Sequence, residues 1–184
     1  MKPWLYPVSA QMAANAAVIG GQVPVLRADG VTLRAPILSD FAVWSKIACS
    51  DRSEYFGGPF SEEEAWDDFC RMTAVWMLRG HGAWTVQSAD GLVLGFVLIG
   101  FEPGDEEPEL GFVFLPEAEG KGLAFAAAMA ARDHAFGPMG LTTLVSYIDP
   151  QNSRALALAE RLGALRDGMT DGAEVWRYLK RRTA

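Results

Sequence analysis

The residues best placed to do chemistry fall in one run, LGFVFLPEAEGKGLAFAAAMAARDHAF, from Leu110 to Phe136. An apolar stretch stops at Pro116, passes through Glu119, Gly120, Lys121 and Gly122, and enters an alanine-rich segment. Glycine leaves backbone N–H groups uncovered and lets another molecule approach closely. A helix start adds donors that no carbonyl uses, together with the positive end of the aligned peptide dipoles. Strand, glycine loop and helix in that order make a seat for an anion, and Lys121 would stand beside it as a point charge. Glu119 works against the seat, because a carboxylate next to a phosphate repels it unless it turns to solvent or pairs with Lys121.

Two common phosphate loops do not fit this run. A Walker loop places Ser or Thr after its Gly-Lys, whereas Gly122 follows Lys121 here and Leu115 stands where the first glycine belongs. A dinucleotide fingerprint matches Gly120 and Gly122 but fails at Phe125. Metal chemistry has little support, since His81 and His134 are far apart and Cys49 and Cys70 sit in separate helical segments without a CxxC. His81 reads as a turn residue after Gly80, and His134 as a packed or surface residue of a helix. Unpaired cysteines fit a reduced, cytoplasmic setting.

The elements that must position the loop can be read from periodicity. Val31–Pro36 alternates as a half-buried strand does. Ser39 or Asp40 can cap a helix through Phe41, Trp44 and Ile47. Ser50–Phe60 is a loop rich in turn residues. Ser61 and Glu64 have capping-box spacing at the head of a second helix that carries Trp66, Phe69 and Trp76. After Gly80 the period becomes that of strands: two runs flank Asp90-Gly91, a hairpin signal, and a third covers Leu110–Leu115. Then come a helix (Leu123–Phe136), a strand (Thr142–Ile148), a helix (Ser153–Leu162) and a last strand over Ala173–Lys180. The strand–helix–strand step calls for a parallel pair joined by a right-handed crossover. Trp44, Trp66, Trp76 and Trp84 read as core or cleft wall, and the alanines of Leu123–Ala131 as a face that sits close to the sheet.

A chain of 184 residues with half its residues apolar suffices for one well-packed domain. We expect a single domain over residues 25–184, preceded by an extension over residues 1–24 that holds a short helix near Gln11–Val18. A net charge of -7 argues against nucleic acid and anionic lipid as partners. No apolar run approaches the roughly 20 residues of a membrane helix.

The element order, with EGKGLA (Glu119–Ala124) and IDPQNSRALALAERLGA (Ile148–Ala164), resembles the GNAT superfamily of acyl-CoA N-acetyltransferases, most closely the branch that acetylates ribosomal-protein N-termini and related small amines. That family's loop reads Gln/Arg-x-x-Gly-x-Gly/Ala, and Gly122 and Ala124 take its fourth and sixth positions. Asn152, Ala155, Leu162 and Gly163 match its second half. The resemblance runs from about Leu26 to the end of the chain. It implies an α/β (α+β) fold with a central mixed twisted sheet, an antiparallel N-terminal meander, one parallel strand pair around the acyl-CoA cleft and helices on both faces.

It further implies acetyl-CoA as co-substrate, without a metal, and direct attack by a primary amine of a peptide N-terminus or small molecule. A homodimer is compatible with it. The diphosphate would meet backbone at Glu119, Gly120, Lys121, Gly122, Leu123 and Ala124. The pantetheine arm would lie along Phe112, Val113 and Phe114, with Asn152 near the cofactor or acceptor. Glu109, at the start of that strand, is the candidate base, set against a plain solvated role in the acidic loop. Asp51, Glu54 and Tyr55 are candidates for the acceptor side. Two departures stand out: Glu119 replaces Gln or Arg, and Ala159 replaces the tyrosine that often protonates the leaving thiolate. They leave open a second class, a GNAT-shaped module that binds CoA without turnover.

Overall fold

The computed structural model describes residues 2–180. Its strands are β1 (Leu26–Ala28), β2 (Val31–Arg34), β3 (Ala83–Ser88), β4 (Val93–Gly100), β5 (Glu109–Phe114), β6 (Val145–Ile148), β7 (Leu165–Thr170) and β8 (Ala173–Arg177). Its α-helices are α1 (Ala10–Gly20), α2 (Phe41–Ala48), α3 (Glu62–Arg79), α4 (Leu123–Phe136) and α5 (Ser153–Arg161). The strands form one open sheet in the order β1-β2-β3-β4-β5-β6-β8-β7. β5 and β6 are its parallel pair, and every other neighbour is antiparallel.

Alternation along the strands builds two cores. Val97 and Ile99 of β4 and Leu110 and Phe114 of β5 pack with Ala127, Ala128 and Ala131 of α4 and Ala159 of α5. Those three alanines of α4 have no exposed surface, so the helix lies directly on the sheet. Phe96 of β4 faces the opposite way, into Phe41, Trp44 and Ile47 of α2 and Phe69 and Met72 of α3. Chemistry placed on β5 therefore rests on a floor clamped from both sides.

Local signals account for most boundaries. The Glu64 N–H donates to Ser61 Oγ at 3.2 Å while Glu64 Oε2 accepts the Ser61 N–H at 2.9 Å, a closed capping box. Gly91 has φ 88° in the β3–β4 turn, where Asp90-Gly91 predicts it. Asp40 departs from expectation. It stands at the head of α2 without capping it, and its buried carboxylate takes a two-pronged ion pair from Arg34 (2.7 and 3.0 Å) plus the Thr85 hydroxyl (2.7 Å). Ser50–Phe60 is likewise more ordered than a loop, with a 3-10 helix over Asp51–Phe56 fastened by Ser53 Oγ donating to Ala48 O at 2.7 Å.

Two strands lie outside the sequence reading. β1 has three residues, and β7 (LRDGMT) is exposed at every position, so it carries no alternation. The expected last strand accordingly becomes the β7–β8 hairpin, with β8 inserted beside β6 and stopping at Arg177. Ahead of the sheet, α1 buries no residue, but Trp4 packs on Phe41 and Trp66 at 5.1 and 5.8 Å between ring centroids.

Candidate functional site

The parallel strands β5 and β6 pair at a single register position, Glu109 with Val145, and then part. At the joined end, Ser146 Oγ donates to Leu110 O at 2.5 Å and lies 3.0 Å from the Tyr178 hydroxyl, which ties β5, β6 and the chain after β8 together. Burial pushes the Tyr178 phenol up to about 12, in keeping with this structural role.

Strand alternation fixes what faces the gap. The Leu115 N–H donates to Leu94 O at 2.8 Å, so Val113, Gly111 and Glu109, stepping back by twos, turn their peptide groups toward β4. Leu110, Phe112 and Phe114 turn theirs toward β6. Leu110 O is taken by Ser146, and Phe114 O accepts Arg52 Nε at 3.0 Å. The Phe112 peptide lies between them, on an edge with no β6 partner in register. An extended chain with amide groups could pair there as an added strand.

The gap opens into a cleft of about 1000 Å³. One end meets the loop before α4. Gly120 (φ 73°) and Gly122 (φ 76°) hold the left-handed conformation there, and a Cβ at either would meet nothing within 4 Å. Gly122 is also the N-cap of α4, so no side chain covers the first N–H groups of that helix. Arg52, Arg154 and Arg161 line this end, with the Arg161 guanidinium 5.1 Å from the Phe125 ring centroid on the first turn of α4.

The other end is acidic. Arg71 bonds Asp68 at 2.5 Å and Glu102 at 2.9 Å, and Asp105 accepts the Glu102 N–H at 2.6 Å. Glu109 borders the same end. Its carboxyl is pushed up to about 8, first by burial and then by the charges of Asp105 and Glu102. Its hydrogen bond from the Tyr147 N–H is long, 3.4 Å, and offsets little of this. Behind it, Arg177 and Thr143 hold Glu107 at about 2, so the two neighbouring glutamates are driven in opposite directions. Trp44 adds an apolar wall to the cleft, and its buried indole N–H has no hydrogen-bond partner among the described residues.

The structure brings Glu109, Phe112, Val113, Phe114, Glu119, Gly120, Gly122, Ala124 and Asn152 to this cleft, and Tyr55 lines it as well. Lys121 and Leu123 lie elsewhere, on a separate groove with Arg27–Gly30. Lys121 Nζ donates to Glu117 O at 2.9 Å, and the Leu123 side chain packs into the core. Asp51 and Glu54 are exposed and do not line the cleft. Asn152 caps α5, accepting the Ala155 N–H at 3.2 Å while bordering the cleft. Ala159 is fully buried in the core, so the position that often carries the family's tyrosine offers no acid here.

Arg52 and Arg154 are the functional candidates that the sequence reading missed. Arg154 did carry a signal, because a basic residue in the first turn of α5 runs against the helix dipole and so needs a partner in front of it. Among the described residues, no helix is long and apolar enough to cross a membrane.

A strand edge left open by a parted parallel pair, leading to an uncapped helix behind a glycine loop, is a geometry suited to an acyl-CoA transferase. Comparison with known proteins agrees. The family profile described as acetyltransferase (GNAT) domain matches residues 31–165. An acetyltransferase from Agrobacterium tumefaciens is 37% identical, with 86% of this chain and 95% of that one covered and a TM-score of 0.81. RimJ from Mycobacterium smegmatis, solved with a CoA disulfide, is 22% identical over 85% of this chain and 86% of its own, with a TM-score of 0.64. Spermidine N-acetyltransferase from Vibrio cholerae, solved with CoA and spermine, is 19% identical over 81% and 94%, with a TM-score of 0.66. The chain belongs to the GNAT family and is an acetyl-CoA-dependent N-acetyltransferase.

Proposed function

We propose that the protein moves an acetyl group from acetyl-CoA to a primary amine by direct attack, with the amine entering from the acidic end of the cleft. The observation that carries this reading is the Phe112 peptide edge, open toward the parted β6 and continuous with the bare N–H groups at Gly120–Ala124. RimJ and spermidine acetyltransferase, which share this fold, were both solved with CoA forms, and this supports CoA as the ligand. Backbone at Gly120, Gly122 and Ala124, with Arg52 and Arg154, would hold the diphosphate. The edge at Phe112 would pair with the pantetheine amides, and an N–H on it would stabilise charge developing on the acetyl oxygen. Glu109 would accept the proton of the attacking amine, directly or through one water.

Four carboxylic acids at the acceptor end, Asp68, Glu102, Asp105 and Glu109, face one guanidinium, that of Arg71. A protonated amine is therefore drawn in, and it reaches a base whose affinity for protons is already raised.

CoA at one hundred times its Kd should stabilise the protein by about 2.7 kcal/mol in thermal unfolding. Thiol release should follow when acetyl-CoA is supplied with a primary amine. Gly122→Ala should weaken CoA on the order of tenfold. The reason is the methyl set where the diphosphate would lie; the left-handed strain of about 1–2 kcal/mol is common to free and bound protein and falls on folding stability instead. Absence of any CoA-induced stabilisation at saturating concentration would overturn the reading.

A further inference from the structure

Glu119 is the residue at which the loop departs from its family's pattern, and the structure shows what it does. Its Oε1 receives Arg52 Nη2 in a close ion pair and Arg154 Nη1 at 3.4 Å. Arg52 comes from the 3-10 helix between α2 and α3, and Arg154 from the first turn of α5. One carboxylate thus ties the Asp51–Phe56 3-10 helix and the start of α5 to the glycine loop. Lys121, the other cation of that loop, is turned away to Glu117 O.

We propose that Glu119 is a cofactor-mimicking latch. Without cofactor it holds Arg52 and Arg154 over the loop mouth, and on binding it yields both guanidinium groups to the cofactor's diphosphate. This rests on reading the cleft as the CoA site. Carboxylate and phosphate oxygens offer guanidinium the same charge-assisted geometry, so the exchange replaces like with like. Handing over Arg154 is cheap, because Glu119 is 43% exposed and Arg154 60%, and exposed pairs contribute little. Arg52 is only 24% exposed, so its exchange depends on the diphosphate taking the carboxylate's place. Arg52 need not move far, since its Nε stays on Phe114 O, at the open edge of β5. The same guanidinium therefore touches the strand that would carry the pantetheine arm and the loop that would carry the diphosphate. Glu119 pre-places the two arginines but opposes the incoming charge, and the affinity reflects both.

The test is calorimetric titration of CoA and of pantetheine, which lacks the diphosphate, into wild type, Glu119→Gln, Arg154→Gln and the double variant. Glu119→Gln should bind CoA about three- to tenfold more tightly, as removal of a repelling charge beside a phosphate implies, with pantetheine unchanged. Its CoA affinity should also fall more steeply with salt, because more of the arginine charge is available to the diphosphate. Arg154→Gln should weaken CoA about tenfold and remove at least half of the gain from Glu119→Gln in the double variant. Weaker or unchanged CoA binding by Glu119→Gln, or an equal change for pantetheine, would overturn the latch while leaving the cleft assignment intact. A wild-type protein that binds no CoA would overturn both.

Discussion

Glu109→Gln is expected to lower kcat/KM for amine acetylation by about 10²- to 10⁴-fold, the usual worth of a positioned general base. CoA affinity should stay within about twofold, because the carboxyl lies at the far end of the cleft from the glycine loop. Glu109 is the first residue of β5 and sits where β5 and β6 still pair, so the sheet holds its backbone in place. Burial and the nearby Asp105 and Glu102 raise its titration to about 8, which places a carboxylate where a base for amine chemistry is useful. The wild-type rate should therefore climb through pH 8 and level above it, as the carboxyl ionises. In the glutamine variant that step should vanish, leaving the titration of the amine itself.

The same group makes an independent prediction for stability. In the unfolded chain Glu109 titrates near 4.5, and in the folded protein near 8, so the folded state holds this proton more tightly. The contribution of the protonated group is complete below about pH 4.5 and is lost as pH rises through 8. Glutamine cannot ionise, so Glu109→Gln should melt above wild type at pH 9, with the advantage shrinking toward pH 5. A variant that loses activity while gaining stability at high pH marks a functional carboxyl rather than a structural one. Retained activity in Glu109→Gln, or a rate profile that keeps its step near 8, would dismiss Glu109 as the base.

What the sequence made legible follows from which signals are local. The capping box at Ser61, the Asp90-Gly91 turn and the alanine face of α4 are each written within a few residues, and each appears in the structure where expected. The glycine loop is of the same kind, since Gly120 and Gly122 are glycine because their backbones are left-handed. β7 escaped because an edge strand exposed at every position has no burial pattern to betray it. Ser39 or Asp40 reads from sequence as the cap of α2, because Asp40's partners Arg34 and Thr85 lie on β2 and β3, which only the folded sheet brings together. Proximity in sequence points to Lys121 as the cation beside the glycine loop, whereas the guanidinium groups that reach Glu119 there, Arg52 and Arg154, arrive from 67 and 35 residues away. Backbone chemistry can be read along a chain. Side-chain electrostatics depends on neighbours that the chain order does not reveal.

Gly95→Ala is expected to destabilise the protein by about 3 kcal/mol, at the high end for overpacking, and to abolish CoA binding with it. A Cβ at Gly95 would stand 2.2 Å from Val113 O and 2.7 Å from Phe114 Cα, both backbone atoms of β5. Neither can swing aside as a side chain does. The register pairs Gly95 with Phe114, so relief requires β5 to lift from β4 next to the peptide edge proposed to hold the cofactor. The neighbouring Leu94 is already an extra residue opposite the step between Val86 and Gln87, which leaves β4 little freedom to retreat toward β3. Gly111→Ala supplies the contrast on the same pair of strands. There the new methyl would meet Leu98 Cδ2 at 2.9 Å and Cγ at 3.0 Å, atoms of a side chain that can change rotamer as backbone cannot, so the cost should be nearer 1 kcal/mol. Urea midpoints at unchanged slope would measure both losses. Equal midpoints for the two variants would show that the close passage of β5 over Gly95 does not hold the cofactor strand in place.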